Sequence, residues 1–111
     1  MADDIAVSVR KILHALADDT RLEMVRRLDE ADTDLSCGAL YDGLAKSTAS
    51  YHFALLRAAG VLTQYVQAGQ KLNHLEHEAV EQIAPGVLGA VLHSLRHTGR
   101  SADRPGVDSK P

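Results

Sequence analysis

Six histidines, one cysteine and fifteen carboxylates are the side chains of this chain that can hold a metal or move a proton, and their spacing decides which chemistry is open. His93 and His97 stand four apart, which on a helix puts both imidazoles on one face, a geometry that chelates Zn. His74, His77 or His14 can add to such a pair. Terminal-helix histidines are more often partly exposed and bind nothing, so the balance is against a metal, and no cofactor is expected. Cys37 is the lone thiol, so no intramolecular disulfide forms. A stable thiolate site for a soft metal needs two or three sulfurs, and Cys37 has no thiol partner nearby. Oxidation to a sulfenic acid or an intersubunit disulfide is open to it, but packing as a small hydrophobe weighs more. The chain has no Gly-rich phosphate loop, no nucleophile with a base beside it, no paired-carboxylate cleft and no nucleotide fingerprint. It does not read as an enzyme.

A different chemistry is written in residues 46–62, KSTASYHFALLRAAGVL. The stretch predicts a helix over 47–59. Ser47 or Thr48 can cap its start, because a hydroxyl oxygen accepts from an orphan amide of the first turn. Gly60 sits where the left-handed residue after a helix usually lies. At about 100° per residue, Ala49, Phe53 and Leu56 share one side, with His52 and Ala59 at its edge. Ser47, Ser50, Tyr51 and Ala54 share the other. That outward side is small, hydroxylated and uncharged, where a solvated helix would show Glu and Lys. Small polar groups able to approach a flat partner and exchange hydrogen bonds suit the major groove of double-stranded DNA. His52, at the margin of the packed side, reads as structural.

The charge is distributed in keeping with that surface. The formal net charge is −3, which by itself gives no support for a polyanionic partner. From Gly43 to Leu75, however, there is no Asp or Glu, while Lys46, Arg57 and Lys71 fall inside the window. A polyanion would meet a locally positive region on an acidic molecule.

These residues need a scaffold, and 111 residues favour one domain. Aromatics are 4% against 45% hydrophobic residues overall, a mix that points to helices more than sheet. Asp3 or Asp4 can cap a first helix to about Leu16, with an apolar stripe of Ile5, Val9, Ile12, Leu13 and Leu16. An Asp or Thr within 17–21 caps a second helix through about Leu28, with Leu22, Val25 and Leu28 inward and Arg21, Arg26 and Arg27 on the solvated side. Ser36 can cap a short third helix to about Tyr41. Asp42-Gly43 then turns into the helix at 47, giving short helix, tight turn, second helix: a helix-turn-helix. Residues 62–67 and 70–75 favour two strands about an Ala68-Gly69 turn. Their tip, with Gln67, Gln70 and Lys71, is neutral to positive and can reach a minor groove or phosphates. A short acidic helix over 76–83 follows. Pro85-Gly86 interrupts it before a last helix to about His97, striped with Val87, Leu88, Val91, Leu92 and Leu95. The expected organisation is a domain over 1–97, mainly α with a small β-hairpin, and a disordered tail over 98–111. The N-terminus lacks the pattern of a signal peptide, and no segment nears the roughly 18 apolar residues of a membrane span. A cytoplasmic protein without membrane contact is expected.

In this order the chain resembles the ArsR-type (arsenic-repressor-like) winged-helix transcriptional regulators. Residues 16–25, LADDTRLEMV, look like the start of that family's second helix, and 35–40, LSCGAL, like its third. Residues 46–52 and 55–62 look like its recognition helix and exit. The resemblance covers roughly residues 5–95. It implies a homodimer built through the first and last helices, recognition helices in successive major grooves, a wing over 62–75 at the flanking backbone or minor groove, and repression relieved by an inducer. It implies DNA contacts for Ser47, Thr48, Ser50 and Tyr51, with Lys46 on phosphate; the angular reading agrees for Ser47, Ser50 and Tyr51 and puts Thr48 at the flank. Arg57 either touches phosphate or is solvated. The family's metal-sensing patterns are broken here. Cys37 lacks the second thiol of one class. Glu76 and Glu78 match half of another, but Gly89 and Leu92 stand where its other pair would fall. The competing reading, drawn from the acidic net charge and sparse cations, is a winged-helix protein-interaction module that does not bind DNA specifically.

Overall fold

The computed structural model describes residues 2–102, with side chains described over 4–96. The elements run α1 (Ala2–Leu16), α2 (Asp19–Ala31), β1 (Leu35–Ser36), a 3-10 turn (Cys37–Leu40), α3 (Lys46–Ala58), β2 (Leu62–Gln67), β3 (Gln70–Leu75), α4 (His77–Ile83) and α5 (Val87–Ala102). The expected mainly helical winged helix-turn-helix is present. Helix α5 runs to Ala102, past the expected end near His97, so residues 98–102 of the expected tail are helical; the rest of that tail, 103–111, lies outside the described residues.

Several local expectations change. Helix α1 begins at Ala2, so Asp3 and Asp4 fall in its first turn instead of capping it. Asp18 caps α2, its carboxylate accepting from the Arg21 amide at 3.0 Å, and α2 runs three residues beyond Leu28. The expected third helix is only the 3-10 turn, and Ser36, at its cap position, makes no side-chain cap bond. Helix α5 starts at Val87, directly after Pro85-Gly86. The hairpin gains a third strand: β1 pairs antiparallel with β3 through Leu35↔Asn73 and Ser36↔Leu72, giving the order β1-β3-β2.

The core forms where the helical stripes converge. Ile12 and Leu16 of α1, Met24, Val25 and Leu28 of α2, Phe53 and Leu56 of α3, and Leu88 and Leu92 of α5 are buried together with Leu40, Leu62 and Leu75. Removing this apolar surface from water supplies the main drive to fold. Of the stripe expected in α1, Ile5 and Leu13 remain 58% and 49% exposed, so the helix keeps an apolar side that the single chain does not cover.

Candidate nucleic-acid interface

Helix α3 sits on the core by the face its spacing assigns. Ala49, His52, Phe53 and Leu56 are buried, whereas Lys46, Ser47, Thr48, Ser50, Tyr51, Ala54 and Arg57 are exposed. The start of the helix differs from expectation. Ala45 occupies the N-cap position and makes no side-chain cap bond, so Ser47 and Thr48 lie within the first turn. Their hydroxyls stand on the exposed rim and do not close the helix end. The stop follows expectation: Gly60 adopts φ 76°, its amide donates to the Arg57 carbonyl at 2.9 Å, and the Val61 amide donates to the Leu56 carbonyl at 3.0 Å. This is a Schellman closure, with buried Val61 and Leu56 as its apolar clasp.

The preceding turn is held by side chains from α2. Arg27 donates to Asp42 at 2.6 Å and to the Ala39 carbonyl at 3.2 Å. Glu23 bridges Arg26 at 2.6 Å and Arg27 at 2.7 Å. Its hydrogen bond from Arg26, with that from Arg27, holds its carboxyl down at about 2. Gly43 takes φ 68°, which lets the chain turn sharply into α3. Tyr41 packs edge-on against Phe53, ring centroids 6.2 Å apart. The turn is thus tied to α2 through Arg27 and to α3 through the Tyr41–Phe53 contact.

The wing is the hairpin β2–β3, paired from Leu62↔Leu75 to Gln67↔Gln70. Ala68 and Gly69 both have positive φ, 54° and 76°, the signature of a type I′ turn. Gln67, Gln70 and Lys71 are exposed around that tip, as expected. At the root of the wing, Asp34 accepts from Tyr65 and pairs with His74 Nδ1 at 2.8 Å. The bond to Asp34 raises the pKa of His74, and the bonds from Tyr65 and His74 lower that of Asp34. Arg57 does not stand alone: it donates to Gln64 of β2 at 2.8 Å, tying the end of α3 to the wing.

The candidate sensor residues are dispersed. Cys37 is half-buried beside Asn73 Nδ2 at 3.4 Å and Gln64 Nε2 at 3.6 Å. Fully buried Asn73 also donates to the Leu35 carbonyl at 3.1 Å and accepts from Gln64 at 2.8 Å. The thiol therefore belongs to a polar knot under the sheet. His93 lies on α5, and the side chain of His97 is outside the described residues. Among the described residues no three His, Cys, Asp or Glu side chains gather into a group that could hold a metal ion. His74 pairs with Asp34 at 2.8 Å and His77 with Asp29 at 3.3 Å. No helix among the described residues is long and apolar enough to cross a membrane.

One residue belongs here that the sequence reading put on the solvated side. Arg21 is buried at 4% exposure. It donates from Nε to the Ala15 carbonyl at 2.7 Å, from Nη2 to the His14 carbonyl at 3.3 Å, and from Nη1 to His52 Nδ1 at 2.9 Å. A signal for it existed: positions 21, 25 and 28 recur at helical spacing on the face that carries Val25 and Leu28.

A helix-turn-helix domain model matches residues 16–65. Over 80 residues the chain is 35% identical to the uncharacterized HTH-type transcriptional regulator YceK of Bacillus subtilis (strain 168), spanning 70% of this chain and 80% of that protein. HlyU from Vibrio cholerae N16961 superposes with a TM-score of 0.63 at 27% identity, over 81% of this chain and 92% of HlyU. An ArsR-like transcriptional regulator from Rhodococcus sp. RHA1 shares the fold, with a TM-score of 0.61 at 15% identity, over 90% of this chain and 96% of that one.

Proposed function

We propose that this chain, which belongs to the ArsR-type winged helix-turn-helix transcriptional regulators, works as a dimeric, sequence-specific DNA-binding repressor released by an inducer. The observation that carries the reading is the exposed side of α3. Ser47, Thr48, Ser50 and Tyr51 offer hydroxyls and one phenol without a carboxylate, on a helix whose opposite side is locked into the core. Such groups approach base edges closely and exchange hydrogen bonds there. Lys46 at the helix start and Lys71 beside the wing tip supply charge for phosphates, which positions the protein without reading sequence. Arg57 and Gln64 set the angle between helix and wing, and Gln67 and Gln70 reach the flanking backbone or minor groove. The uncovered apolar side of α1 supports pairing of two copies, which would present two recognition helices to successive grooves. The work would be done in the cytoplasm, with no membrane partner and no resident metal.

Fluorescence anisotropy on DNA from upstream of its own gene, against a scrambled duplex and across a salt series, tests the reading. Selective binding that weakens steeply with salt is expected. Equal and weak binding to both duplexes, repeated on a duplex pool randomised for selection, would reject it in favour of a protein-interaction module.

A further inference from the structure

We infer that Arg21 and His52 form a buried positioning pair that sets the Tyr51 ring on α3, so that base discrimination depends on two residues lying beneath the DNA-facing surface. The inference rests on the DNA-binding reading above and names the device that orients its largest reading group.

The chain of contacts starts at the junction of three helices. The planar Arg21 fork is spread over the His14 and Ala15 carbonyls at the end of α1 and over His52 Nδ1 of α3. A guanidinium only donates, so Nδ1 must present its lone pair and the imidazole proton sits on Nε2. That bond selects one tautomer and fixes the plane of the His52 ring, because the fork cannot follow a rotating acceptor while both carbonyls hold it. Asp18 closes the junction from the fourth side. Its Oδ2 accepts from the Arg21 amide at 3.0 Å and lies 3.6 Å from His52 Nδ1.

The fixed His52 ring then meets Tyr51. Their centroids are 5.3 Å apart with planes inclined at 68°, an edge-to-face contact. Tyr51 is 60% exposed, the largest aromatic surface on the outward side of α3. A phenol on an open helix surface samples several rotamers, and binding must then select one. Holding the ring beforehand removes part of that ordering cost from the specific complex. A non-specific complex, in which Tyr51 reads no base, gains nothing from it. The pair is therefore expected to alter the ratio of specific to non-specific affinity, which a purely structural role would leave unchanged.

The test is a double-mutant cycle on the full chain, using parent, His52→Asn, Tyr51→Ala and the double variant. Each is titrated by anisotropy on the best duplex selected from a randomised pool and on a scrambled duplex. Asn places its amide oxygen close to where Nδ1 stands, so Arg21 keeps an acceptor while Tyr51 loses its ring neighbour. His52→Asn is expected to lower the selected-to-scrambled ratio about fivefold, the size of an aromatic-pair contribution, with scrambled-duplex affinity retained. In the Tyr51→Ala background the same change should add less than about twofold, because the coupled partner is gone. An unchanged ratio in His52→Asn, or effects that simply multiply in the double variant, overturns the inference. Should His52→Asn fail to fold, His52→Gln takes its place under the same two criteria. A parent that prefers no duplex defeats the DNA-binding reading and the inference together; a selective parent with an insensitive His52 defeats the inference alone.

Discussion

Arg21 shows how far a side chain's role depends on residues distant in sequence. Its helical position aligns it with Val25 and Leu28, but what makes burial tolerable is a set of three acceptors, one of them His52, thirty-one residues away. Replacing it by Met keeps much of the apolar stem and strands those acceptors in the interior. Arg21→Met should therefore cost about 2–4 kcal/mol in urea unfolding, and a loss under about 0.5 kcal/mol would show that water reaches the junction. The His74–Asp34 pair allows a second, smaller prediction. The carboxylate raises the pKa of His74 above the ordinary histidine value, so the pair's contribution is whole below that ordinary value and is lost as pH rises through the raised one. The pKa of Asp34 is lowered, so its contribution is present above the ordinary Asp value and is lost in acid as pH falls through the lowered one. Both groups keep water contact, so less than about 1 kcal/mol is at stake. The thermal midpoint of the parent should fall more between pH 6 and pH 9 than that of His74→Gln. Parallel curves for the two proteins would mean that the ion pair contributes nothing to the anchorage of the wing.

Helix α3 and the wing were legible because each obeys a short-range rule. The apolar side of α3 follows helical periodicity, its exit carries a glycine, and the hairpin turns at Ala68-Gly69. The exit glycine can be tested directly. Gly60 has φ 76°, and a Cβ placed there would meet nothing within 4 Å, so Gly60→Ala adds left-handed strain without a clash. A loss of about 1 kcal/mol is expected, with the preference among duplexes intact. A stability equal to the parent's would mean that the Schellman closure is not what ends the helix. At the wing tip the strain is already present, since Ala68 sits at φ 54°. Asn tolerates that region better, so Ala68→Asn should raise stability by about 0.5–1 kcal/mol; a lower thermal midpoint would refute the I′ assignment. What sequence could not convey were features specified from elsewhere in the chain. Strand β1 is two residues long and exists because β3 offers it a free edge, with no local period to announce it. The start expected for α3 falls one residue late, at 47, because the Ser47 and Thr48 hydroxyls look like caps. In the fold the chain enters from a turn pinned by Arg27 and Gly43, and the helix begins at Lys46 without a side-chain cap.

On the scale of the whole molecule, the apolar surface left over matters as much as the surface used. Ile5, Val7 and Leu13 of α1 are exposed, Ile83 at the end of α4 is partly so, and Val87, Val91 and Leu95 of α5 are only partly buried. So many large aliphatics on the terminal helices of a small domain mark an interaction surface better than they mark a solvated one. Two copies joined there would also resolve the electrostatic difficulty. On the DNA-binding reading, the acid-free window from Gly43 to Leu75 offers Lys46, Arg57 and Lys71 to a polyanion, within a molecule of net charge −3. A dimer doubles those cations on one duplex, and each phosphate neutralised makes the slope of log affinity against log salt more negative by about 0.9. The parent should therefore sediment as a dimer and bind its selected duplex with a slope of about −5. Leu13→Glu places a charge in the uncovered stripe. Since Leu13 is half exposed in the single chain, the monomer fold should survive, the sedimentation coefficient should fall to that of one subunit, and the salt slope should drop to about half. A variant that remains dimeric would move the interface away from α1. A parent that is monomeric at micromolar concentration and still binds its duplex tightly would remove the dimer from the mechanism altogether, leaving α3 and the wing of a single subunit to do the reading.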